Sequence, residues 1–367
     1  MPVVDSDTLG RARAGDERAF RELTDPHRRE LHTHCYRMLG SVTDADDLLQ
    51  ETLLAAWQGL AGFQQRSSVR TWLYRIATRR CLNAIRDRAR RVPTAPVAPF
   101  STPEPSQRTD VPWLQPYPDV LLAEVPDAAP GPATLQVSSE TIELAFITAL
   151  QQLPPQQVAA LLLRDVLGFS TAEAADVLGT GATAVKAALQ RARAGLREHK
   201  QPRVRADPAA EQTLAQQFTR AYVAGDIELL LELLSDDAWL AMPPATHRYH
   251  GRDAVGGFWR SGMAWRGDRR LHLLPAGRAN GDPAFGSYLT EPGDTAAALT
   301  GMHVLTIDGD RIAAVTSFHT PQLARHFGLA PSVELSRSDR GGVIHVGMVA
   351  KSDAQHTTGG EGTGHPG

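Results

Sequence analysis

DADDLLQETLLAAWQGLAGFQQRSSVRTWLYRIATRRCLNAIRDRARR, residues 44–91, joins two helical patterns of opposite character. In its first half Leu49, Leu53, Ala56 and Leu60 recur at helical spacing and make an apolar stripe. Asp47, Gln50, Glu51, Leu54 and Gln58 fall on another face, acidic with one exposed leucine. In the second half Leu73, Ile76, Ala77, Cys81 and Ala84 supply a core-facing side. Around them cluster Arg66, Arg70, Arg75, Arg79, Arg80, Arg86, Arg88, Arg90 and Arg91, opposed only by Asp87. An acidic helix is therefore followed, across the loop from Gly62 to Ser68, by a basic helix interleaved with Trp72 and Tyr74. Basic charge beside exposed aromatics suits a surface that holds phosphates and stacks on unpaired bases.

The wording DADDLLQET…AW…F…RSSVRTWLYRIA resembles conserved region 2 of the extracytoplasmic-function (ECF) sigma factors, promoter-recognition subunits of bacterial RNA polymerase. The resemblance implies that the acidic face of Asp47, Gln50, Glu51, Leu54 and Gln58 docks on the clamp helices of the polymerase β′ subunit. It also implies that Phe63, Arg66, Ser67, Arg70, Trp72, Tyr74, Arg75, Arg79, Arg80 and Arg86 read and melt the minus-ten promoter element. Arg79 and Asn83 stand where the family motif has Asn and Asp, and both keep hydrogen-bonding capacity.

The chain has 367 residues, enough for several domains with cores of their own. Its net charge of −3 hides the clustering of arginines into separate windows. Cys35 and Cys81 are the only cysteines, and their helical apolar contexts read as buried reduced thiols rather than a disulfide or metal pair. No run approaches a membrane span, and the N-terminus has no apolar signal core, so the expectation is a cytoplasmic protein with no membrane partner. Residues 1–18 read as a flexible lead-in. From Ala19 to Leu39, the residues Phe20, Leu23, Leu31, Cys35 and Met38 give the first helices of region 2, which closes at residue 91.

Composition changes sharply at Val92. Up to Ser138 there are eleven prolines and no lasting periodicity, the pattern of an extended linker. One island, Trp113-Leu114-Gln115-Pro116-Tyr117-Pro118-Asp119, carries aromatics that a bland linker does not need. It fits either packing on the protein's own helices or docking on a partner.

Residues 139–200 are helical again. Ser170 and Glu173 form a capping box before a short helix that stops at Gly179, and Thr180 is placed to cap a longer basic helix. A short helix, a glycine turn and a basic helix make a helix-turn-helix pattern. Val185, Leu189, Ala192 and Leu196 face its core, while Thr183, Lys186, Ala187, Gln190 and Arg193 point away, with Arg191 on the flank. Lys186 and Gln190 can reach base edges, Ala187 can meet a thymine methyl, and the arginines suit phosphates. The segment resembles ECF region 4, which implies that Thr180, Thr183, Lys186, Ala187, Gln190, Arg191 and Arg193 meet the minus-thirty-five element, and that the β flap of polymerase is a further partner.

After a hinge from Pro202 to Pro208 a further domain, residues 209–330, begins with a helical stretch to Ser235 broken at Gly225-Asp226. Strand-like segments follow, the last pair joined by Asp308-Gly309-Asp310. Helices followed by a curved antiparallel sheet suggest an α+β cone. The wording AYVAGDIELLLELLSDDAWLAMPPATHRYHGRDAVGGFW resembles a SnoaL-like domain, some relatives of which are enzymes. Met242, His250, Trp259, Trp265, Tyr288 and His303 are candidates to line its pocket and to hold a small-molecule ligand, with His247, Tyr249, Phe285 and His319 beside them. Residues 331–367 read as a mostly disordered tail interrupted by the apolar run 343–349.

The fold class is thus multidomain: two all-α helical domains, the region 2 bundle and the region 4 helix-turn-helix, plus an α+β SnoaL-like cone. The reading is a sigma factor that is not an enzyme, needs no cofactor or metal, binds core RNA polymerase and promoter DNA, and is modulated in cis by the cone. Its rival is a ligand-responsive helix-turn-helix regulator that is no polymerase subunit, which leaves the acidic and Arg-rich helices unused. A cone enzyme with a fused DNA-binding region is the weaker alternative.

Overall fold

The computed structural model describes residues 6–88, 99–108, 114–122, 142–199 and 203–335. Trp113, Arg90, Arg91 and the apolar run 343–349 lie outside the described residues.

The first bundle comprises α1 (Ser6–Arg13), α2 (Glu17–Thr24), α3 (Arg28–Leu39), α4 (Val42–Gly59) and α5 (Val69–Arg88). The start of the chain differs from the expected loose lead-in, because α1 buries Leu9 and Ala12 in the bundle core. Asp16 caps α2 through the amides of Arg18 and Ala19, and Gly40 ends α3 in a left-handed conformation. Ser41 caps α4 by accepting from the Asp44 amide. Cys35 and Cys81 are free and buried, and the Cys81 thiol, which bonds Cys35, is pushed up by that bond and by burial.

The second helical unit contains α6 (Leu144–Gln151), α7 (Pro155–Leu161), a π turn (Leu162–Val166), α8 (Thr171–Leu178) and α9 (Ala182–His199). The Ser170–Glu173 capping box forms in both directions, at 3.2 and 2.8 Å. α9 starts one residue past the expected point: the Thr180 amide closes the end of α8 on Ala175, and the first backbone acceptor of α9 is Gly181.

The third unit has α10 (Pro208–Ala224), α11 (Ile227–Leu233) and α12 (Arg252–Arg266) against one twisted sheet. Its strands are β2 (Leu234–Ala241), β3 (His247–His250), β4 (Arg270–Ala279), β5 (Asp282–Thr290), β6 (Ala296–Asp308), β7 (Arg311–Phe318) and β8 (Ser332–Glu334). β1 (Gln107–Arg108), contributed by the linker, extends it to the order β1-β3-β2-β7-β6-β5-β4, with β8 on β6. All pairs are antiparallel except β2 with β7. Strand alternation gives the sheet two apolar faces. Phe285, Leu305 and Ile307 pack inward under the cone helices. Ala284, Met302, Val304 and Phe318 point outward and join one continuous core with both helical units.

The tip of the β4–β5 hairpin fastens these parts. Ala279 pairs with Asp282, leaving Asn280-Gly281 as a two-residue loop with φ of 56° and 81°. Positive φ at both positions is the Asn-Gly turn that matches strand twist. Asn280 is fully buried. Its Oδ1 accepts from the Tyr117 amide at 2.7 Å, and its Nδ2 donates to Tyr36 Oη at 2.8 Å and the Ile142 carbonyl at 2.6 Å. One side chain thereby joins the cone to the linker, to α3 and to the entry of α6. Tyr117 also meets His32 at 2.8 Å and Thr33 at 3.2 Å, while Gln115 accepts at the start of α4 from Ser41 and Thr43. Of the two readings of the island, self-packing describes Leu114 and Tyr117, both buried.

Asn280→Gly keeps the turn and removes every side-chain bond, so it should cost about 1–3 kcal/mol of unfolding free energy in denaturant melts. Asn280→Ala adds a left-handed Cβ and should cost more, by about 1 kcal/mol. Equal melting of both variants and the parent would mean the tip carries no load.

Candidate functional site

The acidic face of α4 is open. Asp47, Gln50, Glu51 and Gln58 are exposed, and Leu54 keeps 57 % of its surface in solvent although it is a large apolar side chain. Glu51 is joined to Arg80 of α5 at 2.6 Å, so the acidic face runs directly into the basic one.

The basic face is divided. Arg66, Arg79 and Arg86 are exposed, and Arg75, Arg80 and Ser67 are partly so. The aromatics depart from expectation. Phe63 and Trp72 are buried and stacked on each other, centroids 4.7 Å apart, because the loop folds back and closes the apolar end of the bundle. Tyr74 is fully buried between His34 and Phe169, ring centroids 5.1 Å to each. None of these rings offers a free face to a base in this conformation. Burial holds the His34 imidazole neutral, its pKa lowered to about 3, and it bonds Thr78 at 2.9 Å.

Residues of the helix-turn-helix unit account for part of that burial. Arg70 bonds Glu30 at 3.1 Å and stands 4.4 Å from the centroid of the Phe169 ring, a cation–π contact. Arg75 reaches Asp176 of α8 at 3.4 Å. Phe169 thus sits where α5 carries Arg70, Tyr74 and Arg75, and the second helical unit covers the middle of the basic face.

The outward face of α9 is free of this contact. Thr180, Thr183, Lys186, Gln190 and Arg191 are exposed and Ala187 is partly exposed. Arg193 is exposed but engaged, making a bidentate pair with Asp165 at 2.7 and 2.8 Å that raises its pKa.

In the cone a cavity of about 540 Å³ lies between α12 and the concave side of the sheet. Met242, Trp259, Trp265 and His303 line it, with His247 and His319. Two candidates are elsewhere. His250 is exposed and stacks on Trp239 at 4.2 Å, because it belongs to the outer side of β3. Tyr288 is buried on the opposite face and donates to the Ala330 carbonyl; the alternation of β5 puts Phe285, Ser287 and Leu289 on the inner side and turns Tyr288 out. Tyr249 and Phe285 are core residues, not lining. Sequence reasoning missed Tyr222 and the linker residue Phe100. The helical period of α10 pointed Tyr222 inward, but nothing local tied Phe100 to the cone.

Burial lowers the His303 pKa to about 3, and its Nδ1 bonds Ser317 Oγ at 2.8 Å. Burial lowers that of His319 as well and pushes the Tyr222 phenol up to about 12, against the pull of Arg266. His303 is therefore neutral and Tyr222 protonated, and the permanent charge of the lining is Arg266, which donates to the Val223 carbonyl and has its Nε without a partner among the described residues.

Comparison with known proteins follows the same divisions. Residues 23–91 match the family Sigma-70 region 2, residues 143–196 match Sigma-70, region 4, and residues 215–315 match the SnoaL-like domain. The chain is 42 % identical to the ECF RNA polymerase sigma factor SigG of Mycobacterium tuberculosis over 338 residues, 89 % of each chain. It is 28 % identical to the ECF RNA polymerase sigma factor SigJ of the same organism, over 79 % of this chain and 85 % of that one. The crystal structure of Mycobacterium tuberculosis SigJ superposes with a TM-score of 0.53 at 24 % identity, covering 82 % of this chain and 96 % of that chain, and so shares its fold. No described helix is long and apolar enough to cross a membrane. With sigma regions 2 and 4 both matched and its length shared with a curated relative, the chain belongs to the ECF RNA polymerase sigma factors.

Proposed function

We propose that this sigma factor brings core RNA polymerase to promoter DNA from a closed form in which its own domains cover part of the promoter-reading surface. The observation that carries this reading is the seat of Phe169 and Asp176 on Arg70, Tyr74 and Arg75. In the open form Arg66, Ser67, Arg70, Arg75, Arg79, Arg80 and Arg86 hold phosphates and unpaired bases of the minus-ten element. Phe63, Trp72 and Tyr74 support that surface from beneath, and capture of a base by any of them requires rearrangement of the loop. Lys186 and Gln190 read the minus-thirty-five duplex, helped by Thr180, Thr183, Ala187 and Arg191. Arg193 holds Asp165 until a phosphate competes for it.

Polymerase can engage before the chain opens, because Asp47, Gln50, Glu51, Leu54 and Gln58 are uncovered in the closed form. The β′ clamp helices are the partner proposed for this face, and the β flap for region 4. The cone acts as a regulator in cis: its Asn280 tip and outer sheet face hold the closed arrangement together. Tethering gives such a contact a high effective concentration. No step in this reading uses catalysis by the cone, and its place of action is the cytoplasm, beside polymerase and DNA.

Run-off transcription with core polymerase and a promoter library tests the whole reading. Promoter-dependent transcripts are expected, with a different yield from a chain ending at residue 200. Duplex binding without transcripts would favour the non-polymerase regulator, and identical yield and promoter choice for both chains would remove the regulatory role of the cone.

Glu51→Lys combined with Leu54→Ala should weaken core polymerase capture about tenfold or more, through charge reversal and loss of an apolar contact, with melting unchanged. Undiminished capture would mean that this face is not the docking face. Phe169→Ala removes the ring beneath Arg70 and should widen the distribution of distances between spin labels at Gln58 and Gln190, read by electron paramagnetic resonance. A distribution as narrow as the parent's would place the closing force elsewhere.

A further inference from the structure

We propose that the cone cavity is a binding site for an apolar, ring-bearing molecule with a hydrogen-bond-accepting oxygen, uncharged or anionic, and that the linker between regions 2 and 4 forms one wall of it. The regulatory consequence rests on the sigma-factor reading above; the binding itself does not.

The walls decide the class of ligand. Met242, Phe258, Trp259, Trp265, Leu271 and Leu289 present apolar and aromatic surface to a space of about 540 Å³, within the range that encloses a drug-sized molecule. Polar groups take the smaller share of the wall, and several gather on one side. The Tyr222 ring stands 5.1 Å from His303, and its hydroxyl has no hydrogen-bond partner among the described residues. His319 and Ser317 line the same side. The phenol stays protonated and the imidazole neutral at physiological pH, so both can serve an uncharged oxygen. Among the described residues no carboxylate lines the space, and its permanent charge is Arg266. A cationic amine would therefore meet the Arg266 charge and no carboxylate, whereas an anionic group finds the Arg266 guanidinium.

The linker supplies the remaining wall. Phe100 lies against Phe258 and Trp265, ring centroids 5.5 and 5.9 Å away, and Pro99 and Thr102 border the same space. Beyond them the segment is fixed to the cone: the Pro103 carbonyl accepts from Tyr249 Oη at 3.0 Å, Ser106 Oγ accepts from the His250 amide at 3.0 Å, and β1 pairs with β3. The cavity exists with Phe100 in place, so a ligand gains contact with the ring instead of displacing it. A site that is complete only with the linker docked binds the docked form more tightly, and by linkage its ligand stabilises docking. The same linker continues to Gln115 and Tyr117 at the three-way junction. Occupancy of the cone therefore favours the closed sigma factor.

The test uses the full chain and defined probes: 2-acetonaphthone as the neutral arm, naphthalene-2-carboxylate as the anionic arm and 1-naphthylmethylamine as the cationic arm. Binding is read by calorimetry and by fluorescence of the cavity tryptophans. Saturable binding of the ketone or the carboxylate is expected, with the amine at least tenfold weaker. Arg266→Gln should weaken the carboxylate alone, which separates the two accepted sources of oxygen. Phe100→Ala should reduce affinity about tenfold. Gly262→Leu, which places a side chain where a Cβ would already stand 3.5 Å from Phe100, should abolish binding while favouring the helix. Hydrogen exchange over residues 99–108 should slow when the better probe is bound. Failure of both naphthyl oxygen probes to bind, preference for the amine, or affinity unaltered by both variants would overturn the site. If binding and linker protection hold but saturating probe leaves run-off transcription unchanged, the ligand site stands and its coupling to transcription fails.

Discussion

The arrangement of this sigma factor depends on a buried amide at the end of a hairpin. The side chain of Asn280 reaches the linker, α3 and the start of α6 at once. Its chemistry is required in full: one acceptor for the Tyr117 amide and two donors for Tyr36 and Ile142. Asp would lose the donors, and Gly would keep only the turn. Every one of these partners lies away from water, where an unmade hydrogen bond costs most. Around it the polar seam continues. Gly281 donates to Asp119 at 2.9 Å, and Asp46 receives both His32 at 3.0 Å and His326 at 2.8 Å. The last of these brings residues after the cone's final long strand back onto α4.

Much of the architecture was legible because local rules and tertiary packing agree. The apolar periods of α4 and α5, the capping box at Ser170, the glycine stop at 179 and the turn at Gly309 each came from short-range physics that the fold did not override. The candidate surfaces were less legible. Phe63 and Trp72 sit among arginines in sequence, and that neighbourhood suggested exposure; their mutual stacking is set by the path of a loop, which charge patterning does not encode. His250 and Tyr288 were assigned to the cavity from residue type, but the face of a strand residue depends on register, and the alternation of β5 that turns Phe285, Ser287 and Leu289 inward turns Tyr288 out. Asn280-Gly281 carries a strong local turn signal. Its role at the junction is a long-range property, invisible until Tyr36, Tyr117 and Ile142 are brought to it.

The outer face of the sheet gives the closed form a second kind of support. In an isolated cone Ala284, Met302, Val304 and Phe318 would be an exposed apolar patch. Here they continue the core of the helical units. The closed form therefore combines directional bonds, which fix one geometry, with apolar burial, which supplies most of the free energy.

This combination constrains how the chain can open. Separating the cone from the helices would strand the three bonds of Asn280 and return the outer sheet face to water, so spontaneous opening is rare at equilibrium. Separating region 4 from region 2 breaks the Arg75–Asp176 pair at 3.4 Å, the edge-to-face contact of Phe169 with Tyr74 and the packing of Ile147, Leu150 and Leu161 in the core that the two helical units share. Both seams draw on one core, and because Asn280 bonds Tyr36 and Ile142 together, opening either seam strains the other. A partner that separates the helical units must therefore supply enough binding energy to offset both the directional bonds and the apolar burial.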